Sequence, residues 1–137
     1  PYPANYGMIP GTVLSKESGG DGDPVDVVLL GPAGPRGQVV EARLIGVLKL
    51  TDEGEQDDKL IAVLPGDLLD VPGGIGELEE SFPGVAGILE TWFSSYKGPG
   101  VMASGGMEEA AAALKVLDEA VRGYRNQEAP ESAYPAR

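Results

Sequence analysis

The chain has 137 residues, 42% of them apolar, and a formal net charge of −12, a length that suits one domain with one core. It holds neither cysteine nor histidine, which excludes disulfides, thiol nucleophiles, histidine-based triads and zinc sites built on imidazole or thiolate. No apolar run nears the roughly 18 residues of a membrane span, and no secretory pattern opens the chain. So acidic a composition, with only 6% aromatics, speaks against a nucleic-acid binder.

In chain order, "NYGMIPGTVL" predicts a short strand or bend, broken at Pro10-Gly11. "VDVVLLG" (25–31) is a short β-branched run and predicts a strand. "GPAGPRG" (31–37) is a Gly/Pro turn. "QVVEARLIGVLKL" (38–50) alternates in part, with Val40, Ala42 and Leu44 on one side and Glu41 and Arg43 on the other. Gly46 marks a bulge or sharp bend within it. "KLIAVLP" (59–65) is a further strand, stopped by Pro65-Gly66, and 67–84 reads as loop. From Val85, apolar residues at 85, 88, 89, 92, 93 and 96 form the stripe of an amphipathic helix, ended by Gly98-Pro99. "GVMASG" is a short strand. A last helix is expected after Gly105-Gly106, with Glu108 and Glu109 in its first turn and a buried stripe of Ala110, Leu114, Leu117, Val121 and Tyr124. The reading places one domain over 1–126 and a loose tail over 127–137. Short bent strands followed by helices point to an α+β domain with a small barrel.

Two acidic runs carry the chemistry. "DGDPVD" (21–26) packs three carboxylates into six residues, and "TDEGEQDDK" (51–59) packs five before a lysine. Solvated acidic turns are the ordinary explanation, since Asp and Gly are turn residues. An EF-hand loop fails on spacing: counting from Asp21, position 5 is Val25, position 6 is Asp26 and position 12 is Pro32. The sharper reading makes both runs the walls of one divalent-cation site. Mg²⁺ prefers carboxylate oxygen and keeps waters that a phosphate substrate displaces, and paired ions activate water for attack. Asp21 and Asp23 would share one side of an extended segment, with Pro24 turning the chain so that Asp26 joins them.

"YPANYG", "DGDPVDVVLL", "VVEARLIGVLKLTDEGEQDDKLIAV" and "SSYKG", in that order, resemble the soluble family I inorganic pyrophosphatases. The resemblance covers most of residues 2–97. It implies a five-stranded OB-like β-barrel flanked by two main α-helices. It implies hydrolysis of inorganic pyrophosphate to two orthophosphates, by direct attack of a metal-activated water in a site of several Mg²⁺ ions. By position, Asp21, Asp26 and Asp57 resemble ligands of the activating metals, with Asp26 bridging two of them. Asp52 and Asp57 resemble ligands of the metal that arrives with substrate. Asp23 resembles the general base. Tyr6, Lys59, Tyr96 and Lys97 resemble phosphate contacts, and Arg43 borders the site. The resemblance further implies a cytoplasmic homo-oligomer, a hexamer in preference to a dimer, with no nucleic-acid or membrane partner.

Each residue also has a plainer role open to it. Tyr96 continues an apolar stripe, Lys97 suits a helix end, and Lys59 could merely pair with Asp57 or Asp58 at a surface. Arg43 reads equally as an ion-pair partner and Tyr6 as a packed aromatic; Glu53, Glu55 and Asp58 read as solvated neighbours. The family also has a further N-terminal stretch, with a glutamate, a lysine and an arginine near the substrate, which this sequence lacks before Pro1. The expectation is either a truncated chain or a barrel closed differently, and it leaves open a non-catalytic metal- or phosphate-binding relative.

Overall fold

The computed structural model of the chain describes residues 2–132, with side chains described as far as residue 127. Among the described residues, six strands and three α-helices form one α+β unit. They follow in the order β1 (Asn5–Met8), β2 (Asp26–Leu30), β3 (Arg43–Asp52), β4 (Glu55–Gln56), β5 (Lys59–Val63), α1 (Ile75–Ser81), α2 (Val85–Ser95), β6 (Met102–Glu109) and α3 (Ala110–Ser132). The sheet runs β1-β2-β5-β3-β4, with β6 on β3. This corrects the expected five-stranded barrel with two helices: the described sheet has six strands and is open, because no pairing joins β1 to β6.

The β2–β5 pair is parallel, in register Asp26↔Lys59 to Leu30↔Val63. Both strands are apolar on both faces, as buried parallel strands are. β3 is the longest strand and pairs with β5, β4 and β6. It begins at Arg43, so residues 38–42 are not strand. Val39 and Val40 lie exposed there, because no neighbouring strand reaches them. The expected irregularity at Gly46 is present as a register shift between Leu44 and Gly46. It explains why Ile45 and Leu48, three residues apart, share one core cluster. Glycine is required at 46: a Cβ would lie 2.3 Å from Ile75 Cγ1 and 2.7 Å from the Glu108 carbonyl oxygen.

Two hydrophobic clusters flank the sheet. One joins Val28, Ile45, Leu48, Ile61 and Val63 to α1 and α2 through Leu78, Leu89 and Phe93. The other joins Val25, Val47 and Leu60 to α3 through Ala113, Val116 and Ala120. The face of α3 therefore differs from the expected one, and Leu114 is 56% exposed. Small residues let the helix backbone approach closely: Val13 N–H donates to the Ala120 carbonyl at 2.9 Å, and a Cβ on Gly123 would meet the Val13 carbonyl oxygen at 2.6 Å.

Two further expectations give way. Residues 67–84 are not all loop, since α1 forms there. Glu108 and Glu109 belong to β6 and not to a helix turn, because the ladder with β3 continues to Gly46↔Glu109. Gly105 is skipped in that ladder, between Lys49↔Gly106 and Leu50↔Ser104. Glu109 serves a different helix: its carboxylate accepts from Ile75 N at 2.9 Å and Gly76 N at 3.0 Å, at the start of α1. α3 continues past Asn126 to Ser132. The last five residues of the expected tail, 133–137, lie outside the described residues.

Candidate active site

The first acidic run is carried by the 12–25 loop, which is pinned at several points. Buried Thr12 donates its hydroxyl to the Ile9 carbonyl at 2.5 Å and accepts from Val25 N at 3.0 Å. Leu14 N–H donates to the Asp23 carbonyl, and Gly22 N–H to the Leu14 carbonyl, each at 2.8 Å. The loop then docks on β4, where Gln56 N–H donates to the Gly19 carbonyl at 2.8 Å. Gly20 sits so close to Leu14 that a Cβ would fall 2.4 Å from its carbonyl oxygen. D-G-D is turned rather than extended: Gly22 has φ +83°, and Asp23 N–H donates to Asp21 Oδ1 at 2.9 Å. This Asx-type bond holds the Asp21 carboxylate and leaves Asp23 exposed.

The second run is carried by a tight hairpin. Glu53 (φ 51°) and Gly54 (φ 86°) make its turn, and two left-handed central residues match a type I′ connection. Asp52 lies at the root of the hairpin, opposite Glu55 on one side and Met102 on the other.

Lys59 is the centre of the site. Parallel register sets it beside Asp26. Its Nζ donates to Asp26 Oδ2 at 2.6 Å and to Asp57 Oδ1 at 2.9 Å. It is 1% exposed, so the surface ion-pair reading of this lysine does not hold. Its Nζ also lies 5.5 Å from the centre of the Tyr6 ring and 6.0 Å from that of Phe93. Burial alone would lower the Lys59 pKa, but the contacts with Asp26, Tyr6 and Asp57 outweigh it and raise the value.

The carboxylates carry the cost of this crowding. Burial pushes Asp57, 7% exposed, up to about 6; Lys59 opposes the shift, and Asp26 and Asp21 add to it. Asp21 is also raised, first by burial; the Asp23 backbone N–H and the contact with Asp57 oppose the shift, while the charges of Asp23 and Asp26 add to it. Asp21 and Asp26 therefore both interact with Asp57, across 36 and 31 residues of sequence. Burial likewise raises the Tyr6 hydroxyl, with Lys59 opposing and Asp26 adding.

The rim holds the remaining candidates. Lys97 donates to Asp52 Oδ2, which raises the lysine pKa. Tyr96 closes α2, partly exposed and raised by burial. It stacks on Trp92 with ring centroids 4.6 Å apart at 7°, and Tyr6 stacks on Tyr2 with the same separation and angle. Tyr2 lies 4.7 Å from Trp92 and joins the two stacks. Arg43 stands apart. It pairs with Asp70 and donates to the Val71 carbonyl at 2.9 Å. On β5 it faces Val63, four residues from Lys59, roughly 13 Å along a strand. Its role here is to hold the 65–71 loop.

Sequence reading missed three contributors. Asp58, taken as a solvated neighbour, is 1% exposed and fully bonded. Strand alternation could have found it, because D-D-K puts Asp57 and Lys59 on one face and Asp58 on the other. Thr12 and the Tyr2–Trp92 contact carried no comparable signal.

The donor set suits hard cations. Asp26 and Asp57 flank one ammonium, Asp21 adjoins Asp57, and burial destabilises both Asp21 and Asp57 as anions. Among the described residues no three carboxylates converge closely enough to chelate a single ion; here Lys59 occupies the space between Asp26 and Asp57.

Fold and site together define an α+β protein with a cluster of carboxylates gathered around one buried lysine. The chain belongs to the inorganic pyrophosphatase family, whose profile matches residues 1–125. It is 40% identical over 131 residues to the inorganic pyrophosphatase of Ralstonia nicotianae, covering 90% of this chain and 70% of that one. It is 38% identical over 129 residues to that of Helicobacter pylori, covering 90% and 71%. Its fold matches a recombinant inorganic pyrophosphatase from Trypanosoma brucei brucei with a TM-score of 0.85 at 30% identity, covering 91% of this chain and 41% of that one.

Proposed function

We propose that this chain hydrolyses inorganic pyrophosphate to two orthophosphates by direct attack of water, without a phosphoenzyme. The observation that carries the reading is the buried Lys59 ammonium held between Asp26 and Asp57, with Asp21 beside them, in a chain of this family. Asp21, Asp26, Asp52 and Asp57 are the residues that would hold Mg²⁺, preferred for its match to carboxylate oxygen. When bound, such ions neutralise the dense charge of the substrate and lower the pKa of water.

The chain's own groups do the rest. Asp23 is exposed and anchored through its backbone N–H to Asp21, so its carboxylate is free to take the proton of the attacking water. Lys59, Lys97 and the hydroxyls of Tyr6 and Tyr96 donate to phosphate oxygens and orient the substrate for in-line displacement. The bond between water oxygen and phosphorus forms as the bridging P–O bond breaks, and the second phosphate leaves. Arg43 is engaged with Asp70 and has no part in this scheme. Neither the site nor the relatives support the non-catalytic binding module.

The direct test is phosphate release from pyrophosphate with Mg²⁺, compared with EDTA. Asp23→Asn is expected to cut turnover while sparing Mg²⁺ binding; unchanged turnover would remove Asp23 from the base role. Homo-oligomeric assembly and a cytoplasmic location are proposed from the family resemblance, to be checked by light scattering and by cell fractionation.

A further inference from the structure

We propose that Asp58 is a positioning residue: a buried carboxylate that stands in for a missing ladder acceptor and so aims Asp57 and Lys59 toward Asp26. The inference rests on the functional reading above and adds a residue to it.

The argument starts from a gap in the sheet. β3 pairs with β5 as far as Leu48↔Lys59, and with β4 only from Thr51↔Gln56. Opposite Lys49 and Leu50, residues 57 and 58 belong to no strand. The gap falls where the site needs the most accurate geometry, since Asp57 lies in it and Lys59 follows it. Asp57 N–H donates to the Leu50 carbonyl at 2.9 Å, which satisfies one of the two Leu50 backbone groups. The other, the Leu50 N–H, donates to Asp58 Oδ1 at 3.1 Å. A side-chain oxygen thus does what a neighbouring strand's carbonyl would do.

The second oxygen completes the lock. Asp58 Oδ2 accepts from Lys49 Nζ at 2.8 Å and from Gln56 Nε2 at 2.7 Å. Asp58 therefore ties β3 at residues 49 and 50 to β4 at residue 56. Because side chains alternate across an extended segment, fixing Asp58 on one face directs Asp57 and Lys59 to the other. Those two meet there, with Lys59 reaching Asp26 as well. Asp58 is 1% exposed and faces away from the substrate side. Its effect passes through its neighbours.

The test uses the full chain with Asp58→Ala and Asp58→Asn, held well below the melting temperature of the weaker variant. Asparagine keeps an oxygen for the Leu50 N–H but loses the charge that holds Lys49. Two readouts are independent of turnover: Mg²⁺ affinity by calorimetry, and the side-chain ammonium signal of Lys59 by ¹⁵N NMR, visible when a buried ion pair protects it from exchange. Asp58→Ala is expected to weaken Mg²⁺ binding tenfold or more and to erase the Lys59 signal while amide dispersion stays native; Asp58→Asn falls between. If Asp58→Ala does not fold, Asp58→Asn decides, with a threefold or greater loss of affinity expected. Wild-type Mg²⁺ affinity and an intact Lys59 signal in the folded variants would overturn the proposal and leave Asp58 a stabilising group only. A wild-type chain that binds Mg²⁺ but releases no phosphate would sink the pyrophosphatase reading, while the NMR comparison would still judge Asp58.

Discussion

Replacing Lys59 by methionine keeps the length of the side chain and removes its charge. In the native structure that charge is 1% exposed and sits 2.6 Å from Asp26 and 2.9 Å from Asp57. Without it, two carboxylates face each other across a buried methyl group, with Asp21 nearby. Removing one partner of a buried ion pair costs about 3–5 kcal/mol, whereas an exposed pair is worth about 0–1 kcal/mol. The structure places Lys59 in the first class. With a urea dependence of about 2 kcal/mol per molar, the unfolding midpoint in EDTA at pH 8 is expected to fall by roughly 2 M. The loss is expected to shrink at pH 5, because protonating Asp57 relieves the repulsion that methionine cannot. Mg²⁺ is expected to restore part of the stability at pH 8, since a cation replaces the missing ammonium. A midpoint shift worth less than about 1 kcal/mol, with unchanged urea dependence, would refute the reasoning: Lys59 would then behave as a solvated surface lysine.

Asp57 predicts a pH dependence of the metal-free protein. Burial lifts its pKa to about 6 in the folded chain, above the ordinary carboxylate value of 3.8, so the folded state favours the neutral acid. Its contribution to stability is fully present below about pH 4 and is lost as pH rises through 6; the gap corresponds to about 3 kcal/mol. Urea titrations in EDTA from pH 4 to 8 are expected to show this loss in the wild type and a flatter profile in Asp57→Asn; parallel profiles would contradict it. Gly46→Ala drives a methyl into Ile75 and the Glu108 carbonyl and is expected to cost about 1–3 kcal/mol, read by thermal or chemical melts. Lys97→Ala removes a partly exposed partner of Asp52 and is expected to change stability by less than about 1 kcal/mol. Its effect belongs in KM for pyrophosphate, and an unchanged KM would take Lys97 out of the substrate contacts.

Local pattern made much of this protein legible. β-branched runs marked β2 and β5, the glycine in "LIGVL" marked the bulge, and the 85–96 stripe marked α2 with Leu89 and Phe93 inward. The two aspartate runs were legible as the source of the clustered carboxylates, and Asp26 and Asp57 do meet at Lys59. What the sequence could not supply was decided by contacts between distant segments. Glu108 and Glu109 read as a helix start because they follow two glycines; the ladder on β3 claimed them for a strand. Alanine and glycine, weak signals in a hydrophobic pattern, became the inner face of α3 because the 12–15 loop needed close approach. Above all, the parallel register of β2 on β5 set Asp26 against Lys59, and the docking of the 12–25 loop on β4 brought Asp21 towards Asp57. Composition and order of residues determined which charges this protein carries. Which of them are buried together, and so which titrate abnormally, depends on distance and exclusion of water, and those exist only once the sheet is assembled.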